Sequence, residues 1–368
     1  MLLYLGIMLA MLSGYYFKVN EDGWKKKLFC IASAAVLIYF AAFRNVTVGA
    51  DTLQFCKHYE EIAAKGWDYY RTVSGFGGRL EPGFYVLCKL LGYISPHHQL
   101  LIIVTSVWSL TAISSFIYKN SKDVVFSFIL FVGFQYYAFW LNAMRQVLAI
   151  SVILFAVQHF LSKKRYIAYA IAVMVACLFH DSAFFALLLI PMCWIQPTKW
   201  LITLALAAGA FGFVFFNRLF DLAAKIIGYS DYIGSEFDSS NYFAGLIKAL
   251  LSVIILVVMF YSLRGKDRRL LQEDTSVALK RDVLIWLQLA TVVLSVLSMR
   301  AVILERIYAY YNFFGFILLP EFLAVNERRE DENAFKLVLV PLAFAYCAIV
   351  LAFRPEWTLV TPYLFFVK

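Results

Sequence analysis

Residues 81–94 read E-P-G-F-Y-V-L-C-K-L-L-G-Y-I. Whether the apolar part of this stretch, Pro82–Ile94, crosses a membrane decides the side of every loop that follows it. Around it lie twelve longer apolar runs, at about 2–17, 28–43, 99–118, 124–141, 146–161, 166–179, 183–195, 200–216, 243–262, 283–299, 307–325 and 336–353. Between them stand five basic loops: Lys18 with Lys25–Lys27, Lys119 with Lys122, Ser162–Arg165, Arg264–Arg269 with Lys280 and Arg281, and Asn326–Lys336. Lys and Arg accumulate in cytoplasmic loops. If Pro82–Ile94 were a full crossing, Lys119, Lys163–Arg165 and Arg264–Arg269 would all face out. If it is a re-entrant or surface helix, all five basic loops face in. The second reading follows.

Composition supports the membrane assignment independently. The chain is 62% hydrophobic and 15% charged, with mean hydropathy +0.75. Soluble domains sit nearer half apolar and a quarter charged. The net charge of +9 comes from cytoplasmic loops and gives no reason to expect nucleic acid as a partner. The run Met1–Phe17 ends in Tyr-Tyr-Phe without a small-residue cleavage site and reads as a retained helix. Cys30, Cys177, Cys193 and Cys347 lie inside apolar runs with no metal-ligand spacing, so neither a disulfide framework nor a zinc site is expected. The expected fold is an all-α polytopic transmembrane helical bundle of about 12 crossings plus a re-entrant or interfacial helix. It forms a single integral membrane domain over 1–368, with an external segment at about 44–98, an external loop at about 217–242 and a cytoplasmic loop at about 263–282.

With the amino terminus outside, Arg44, Arg79, Arg145, Arg300 and Arg306 all reach the external face. Arg145 lies in L-N-A-M-R-Q-V-L-A between two apolar runs, where an arginine is costly unless it is paired or faces a wet cavity. Arginine suits two-pronged recognition of phosphate oxygens, so several arginines around an outward cavity suit a diphosphate. Each residue also has a plainer role. Arg79 and Arg354 suit helix-end anchors or salt bridges. In F-R-N-V-T-V-G-A-D-T (43–52), Asp51 suits an N-cap. Glu81 suits a first-turn residue beside Pro82 at N1. His180, in C-L-F-H-D-S-A, suits a hydrogen-bonded helix-end histidine. Trp67-Asp68-Tyr69-Tyr70 and Tyr308–Phe314 lie near the same face and offer flat surfaces for sugar rings, a weaker signal than the arginines.

Six pieces resemble the EpsG-type branch of the Wzy-like O-antigen and exopolysaccharide polymerases. They are F-R-N-V-T-V-G-A-D-T (43–52), E-P-G-F-Y-V-L-C-K-L-L (81–91), M-R-Q-V-L-A-I-S (144–151), F-H-D-S-A (179–183), R-I-Y-A-Y (306–310) and T-P-Y-L-F-F (361–366). The amino-terminal blocks resemble the family most closely and the carboxy-terminal third more loosely. The resemblance implies a GT-C-type glycosyltransferase of the bacterial cytoplasmic membrane, with its active site facing the periplasm or exterior. It implies transfer of a glycan chain from undecaprenyl diphosphate onto the terminal sugar of another lipid-linked repeat, so the partners are donor and acceptor lipids and the surrounding bilayer. A chain-length regulator is a further candidate partner. The expected chemistry uses no metal and no cofactor. Arg44, Arg145, Arg300 and Arg306 would bind the diphosphate, and the base comes from Asp51, His180 or Glu81. The reading leans to Asp51, with His180 on phosphate or acceptor.

A flippase for the same lipid-linked sugar predicts mid-membrane charges and paired broken halves, whereas here the charges gather at one face without an internal repeat. An O-antigen ligase shares the arginine logic and differs in product. Polymerase loss removes the ladder of chain lengths, and flippase loss removes surface glycan altogether.

Overall fold

The computed structural model describes residues 1–73, 80–227, 242–263, 279–324 and 329–367. Arg79, most of the 217–242 loop, most of the 263–282 loop and the start of the basic stretch from Asn326 fall outside the described residues. Among those described, the secondary structure is helical apart from an isolated bridge between Arg44 and Phe365. The helices pack as two compact units, Met1–Phe184 with Glu327–Lys368, and Phe185–Asn326.

The first unit is built around Val124–Gly133, V-V-F-S-F-I-L-F-V-G, of which every residue is buried. A helix that is apolar all round belongs in a core. Leu2–Tyr16 and Arg329–Phe353 pack on it. A second bundle in the same unit joins Gly23–Ala42, Gln99–Asn120, Met144–His159 and Tyr166–Cys177. Against this lie two short amphipathic helices, Thr52–Ala64 and Pro82–Gly92. Phe55 meets Phe84 near their starts, and Lys89 donates to the carbonyls of Ile62 and Lys65 near their ends. The two helices therefore run parallel. At 11 residues, Pro82–Gly92 is about 16 Å long, roughly half the hydrocarbon thickness.

The loop after Gly23–Ala42 is tied to the far end of the sequence. Asn45 N–H donates to Leu364 O, Gly49 N–H to Leu359 O and Phe366 N–H to Phe43 O, each at 2.8 Å. Gly49 has φ 103°, and a Cβ there would lie 2.6 Å from Thr52 Oγ1 and 2.8 Å from Leu141 O. Only glycine suits this turn.

In the second unit, Lys199–Val214, Tyr242–Ser262 and Glu305–Asn312 each pack against Arg281–Leu297. Arg281 pairs with the fully buried Glu321 at 3.0 Å. A charge at this depth persists because its partner is close.

By length and hydropathy, four described helices suit a membrane crossing: Gln99–Asn120, the Met144–Lys163 segment, Tyr242–Ser262 and Glu330–Phe353. The number rises to seven if three bent pairs each count once. These pairs break by 58° after Gly133, by 88° after Val214 and by 41° after Asn312. The twelve runs of the sequence do not all become straight crossing helices. The 166–179 run forms the 12-residue helix Tyr166–Cys177, and 183–195 folds mostly as the 3-10 helix Asp181–Leu188 followed by one α-turn. Both are too short to span the hydrocarbon core as single straight helices.

Candidate active site

The E-P-G block builds one side of the site. Pro82 occupies the first helical position and Glu81 before it is extended, at φ −71° and ψ 146°, as proline requires of its predecessor. Gly83 brings the helix start against the 178–180 turn. Its N–H donates to Leu178 O at 2.7 Å, and a Cβ on Gly83 would lie 2.7 Å from that oxygen. The turn ends the helix Tyr166–Cys177 and presents His180. Arg145 arrives from the first turn of Met144–His159, just past the break at Ala143.

These elements converge on the Glu81 carboxylate. One oxygen, Oε1, is 2.9 Å from His180 Nδ1, and Oε2 forms an ion pair with Arg145 Nη1. The side chains of Glu81, His180 and Arg145 are 8%, 10% and 22% exposed. Burial alone would raise the Glu81 pKa. The hydrogen bond from His180 and the charge of Arg145 outweigh it and hold the carboxyl below its ordinary value. An ionised carboxylate only accepts, so Nδ1 of His180 carries a proton and donates to it, and in the neutral imidazole the lone pair is then on Nε2. Nε2 is buried and has no hydrogen-bond partner among the described residues. Asp181, next in sequence, is pushed the other way, raised by burial and by the charge of Glu81. Phe55 lies under the Arg145 guanidinium at 5.3 Å, and Phe179 meets Trp108 with ring centres 6.1 Å apart.

The other residues singled out by sequence have different surroundings. Arg44 is 2% exposed. It donates to Ala41 O, to Leu141 O at 3.2 Å and to Ser106 Oγ at 3.4 Å, and so holds backbone together. Asp51 is exposed at the start of Thr52–Ala64 and makes no side-chain capping hydrogen bond. Arg300 and Arg306 belong to the second unit. Arg300 is held by neutral partners, Asn217 Oδ1 at 3.2 Å and Tyr242 OH at 3.4 Å, with Phe213 beneath it at 5.5 Å. Arg306 sits half-buried on Glu305–Asn312, beside the 2.7 Å pair of Glu305 with Lys248. Among the described residues, no three His, Cys, Asp or Glu side chains gather as a metal site would require.

Sequence reasoning named Glu81, Arg145 and His180 but did not see that they form one group. The available signal was that E-P-G, M-R-Q and F-H-D each sit in a separate family-like block. Separate blocks often meet in space.

Comparison with characterised proteins and with solved structures finds no match for this chain. The EpsG family profile, in contrast, matches residues 27–365. That range contains Glu81, Arg145 and His180 together with the 43–52 loop and the tail paired to it. The apolar helices make this a multi-pass membrane protein. The chain belongs to the EpsG family, the Wzy-like polymerases of exopolysaccharide and O-antigen, and its general activity is that of a glycosyltransferase-like polymerase.

Proposed function

We propose that this protein lengthens a surface polysaccharide by glycosyl transfer between two undecaprenyl-diphosphate-linked units on the external face of a bacterial cytoplasmic membrane, with His180 as the base. One observation carries the assignment: Glu81 holds Nδ1 of His180 while Nε2 stays buried and unpartnered among the described residues. A carboxylate on one imidazole nitrogen fixes the tautomer and favours the imidazolium that forms when the other nitrogen takes a proton.

In the proposed step, Nε2 of His180 takes the proton from the acceptor hydroxyl. The hydroxyl oxygen forms a bond to the anomeric carbon of the donor, and the bond from that carbon to the diphosphate oxygen breaks. The lipid diphosphate leaves with the electron pair. Glu81 remains ionised throughout. Arg145 keeps Glu81 in place and adds positive charge beside the reacting group. The step draws its charge stabilisation from arginine and needs no metal. Asp51, which the sequence favoured as base, lies exposed at the start of Thr52–Ala64, and the buried His180 is preferred because Glu81 orients its Nδ1. Among the described residues the hydrogen-bond partners of Arg300 are neutral, which suits it to an anion in its own unit, and Arg306 is assigned the same task there. Arg44 is assigned to holding the 43–52 loop.

The test is His180→Ala in a strain deleted for the gene and complemented. Loss of one general base lowers rate by about 10²–10⁴-fold. The ladder of chain lengths is therefore expected to collapse to single repeats while the variant protein stays in the membrane. A normal ladder would refute the assignment. Loss of all surface glycan would point to a flippase.

A further inference from the structure

We infer that the turn Gly66–Tyr70 and the end of the helix Pro82–Gly92 form a glycan-binding platform, one short oligosaccharide away from the catalytic group. This inference rests on the polymerase reading above and extends it to where the growing sugar chain lies.

The platform is an exposed aromatic surface packed on a buried tyrosine. Trp67 is 48% exposed and Tyr93 67%, and the two are joined, since Trp67 Nε1–H donates to Tyr93 OH at 3.0 Å. Beneath it, the buried Tyr85 places its hydroxyl 3.4 Å from the carbonyls of Gly66 and Trp67. Its ring packs against Tyr70 at 4.9 Å and Trp67 at 6.1 Å. Lys89 is 5% exposed and donates to Ile62 and Lys65 carbonyls, so it closes the end of Thr52–Ala64 directly under the turn. The buried Tyr85 thus packs under the exposed indole, and the buried Lys89 holds the backbone that leads into its turn.

A membrane-belt tryptophan has an amphipathic role: its ring sits in the interface and its N–H meets headgroups or water. Here the N–H is used internally. The ring offers a fixed flat face with the polar groups Asp68 and Glu61 exposed nearby, and Glu61 already accepts from Tyr69 OH at 2.9 Å. Flat apolar faces bordered by carboxylates and hydroxyls match the chemistry of pyranose rings, which carry apolar C–H faces and hydroxyl edges.

Position supplies the second argument. Glu81, Tyr85, Lys89 and Tyr93 recur every four residues, so they follow one slowly drifting face of the same helix. The helix start carries Glu81 and the helix end carries Tyr93. The separation is about 18 Å along the axis, the reach of a few sugar rings. Tyr85 and Lys89 are buried against Thr52–Ala64, so a glycan whose end reacts at His180 would pass outside this face and meet the exposed Trp67 and Tyr93 at its far end.

The experiment uses full-length protein in nanodiscs. The probe is oligosaccharide fragments released from the host strain's own surface polysaccharide by partial acid hydrolysis, with saturation-transfer NMR as the readout. Trp67→Ala is expected to weaken fragment binding at least tenfold and Trp67→Phe to retain most of it. In cells Trp67→Ala is expected to shorten the chain-length ladder at unchanged protein level. If Trp67→Ala binds fragments as the parent does, the platform is wrong and Trp67 is an interfacial anchor. Should Trp67→Ala fail to accumulate, Tyr93→Phe decides. It removes one exposed hydroxyl and is expected to weaken binding several-fold, and unchanged binding overturns the inference. His180→Ala separates the two readings. It should bind fragments normally while polymerising nothing, whereas polymerisation by His180→Ala refutes the catalytic assignment and leaves fragment binding as an independent result.

Discussion

At the scale of single residues, the site turns on one carboxylate shared by a histidine and an arginine. Glu81→Gln keeps the size and one acceptor but removes the charge that favours the imidazolium. Polymer formation should fall by about 10²-fold or more if the carboxylate acts as proposed. The same substitution has a pH signature. The Glu81 pKa is lowered in the folded protein, because His180 and Arg145 outweigh burial. Its contribution to stability is therefore complete above the ordinary carboxylate pKa of about 4.5 and is lost as pH falls through the lowered value. Asp181 has the opposite sign, since its raised pKa costs stability once it ionises. Thermal unfolding of nanodisc-embedded protein should thus show the parent losing its advantage over Glu81→Gln only in acid. An advantage that grows in acid would contradict the pairing. The sequence supplied all three members of this group, with His180 and Glu81 as candidate bases beside the favoured Asp51. That Glu81 touches His180 was not legible, because chain position alone does not show which carboxylate meets a histidine.

At the scale of elements, the deciding contact is the helix start against the 178–180 turn. Gly83→Ala would put a methyl group 2.7 Å from Leu178 O and 2.8 Å from Leu178 Cβ. The oxygen belongs to the backbone and cannot swing aside. The helix must back away and carry Glu81 with it. A cost of about 1–3 kcal/mol is expected from the overpacking, read as a lower unfolding midpoint, together with polymer loss larger than the fall in protein level explains. Polymer at the parent's level would mean that the close approach does not position Glu81. The parity of the basic loops anticipated a helix at 82–94 that does not cross, and an 11-residue helix is what forms. Parity could not anticipate what the helix rests on. That depends on a glycine meeting a carbonyl from a distant part of the chain, and periodicity carries no trace of such a contact.

At the scale of the whole molecule, each unit holds charges where apolar helices alone would be expected, and the first unit has a clamp far along the sequence from its site residues. Asp123 is 4% exposed and accepts from Asn20 at 2.7 Å, Tyr15 at 2.9 Å, Phe126 N–H at 3.0 Å and Lys336 at 2.7 Å. Removing one half of such a pair costs about 3–5 kcal/mol. Asp123→Ala should therefore lower the unfolding temperature markedly, and adding Lys336→Met should recover part of the loss. An unchanged unfolding temperature in the single variant would show the clamp to be idle. From sequence, Lys122 and Lys336 read only as loop cations that set orientation, since a positive-inside argument counts charges without pairing them. The all-helical membrane class was legible, because repeated long apolar runs can cross a bilayer only with their backbone bonds closed within each helix. The number of straight crossings was not, because an apolar run reads the same whether it forms one long helix, a bent pair or a short helix. The pairing of residues 43–49 with 359–366 bears on biosynthesis. A ribosome releases Glu81, Arg145 and His180 long before Leu359 and Leu364 exist, so the 43–52 loop must wait for its hydrogen-bond partners while most of the protein is still being inserted. A nascent chain arrested before Leu359 would hold every proposed catalytic group and still leave that loop open to proteases.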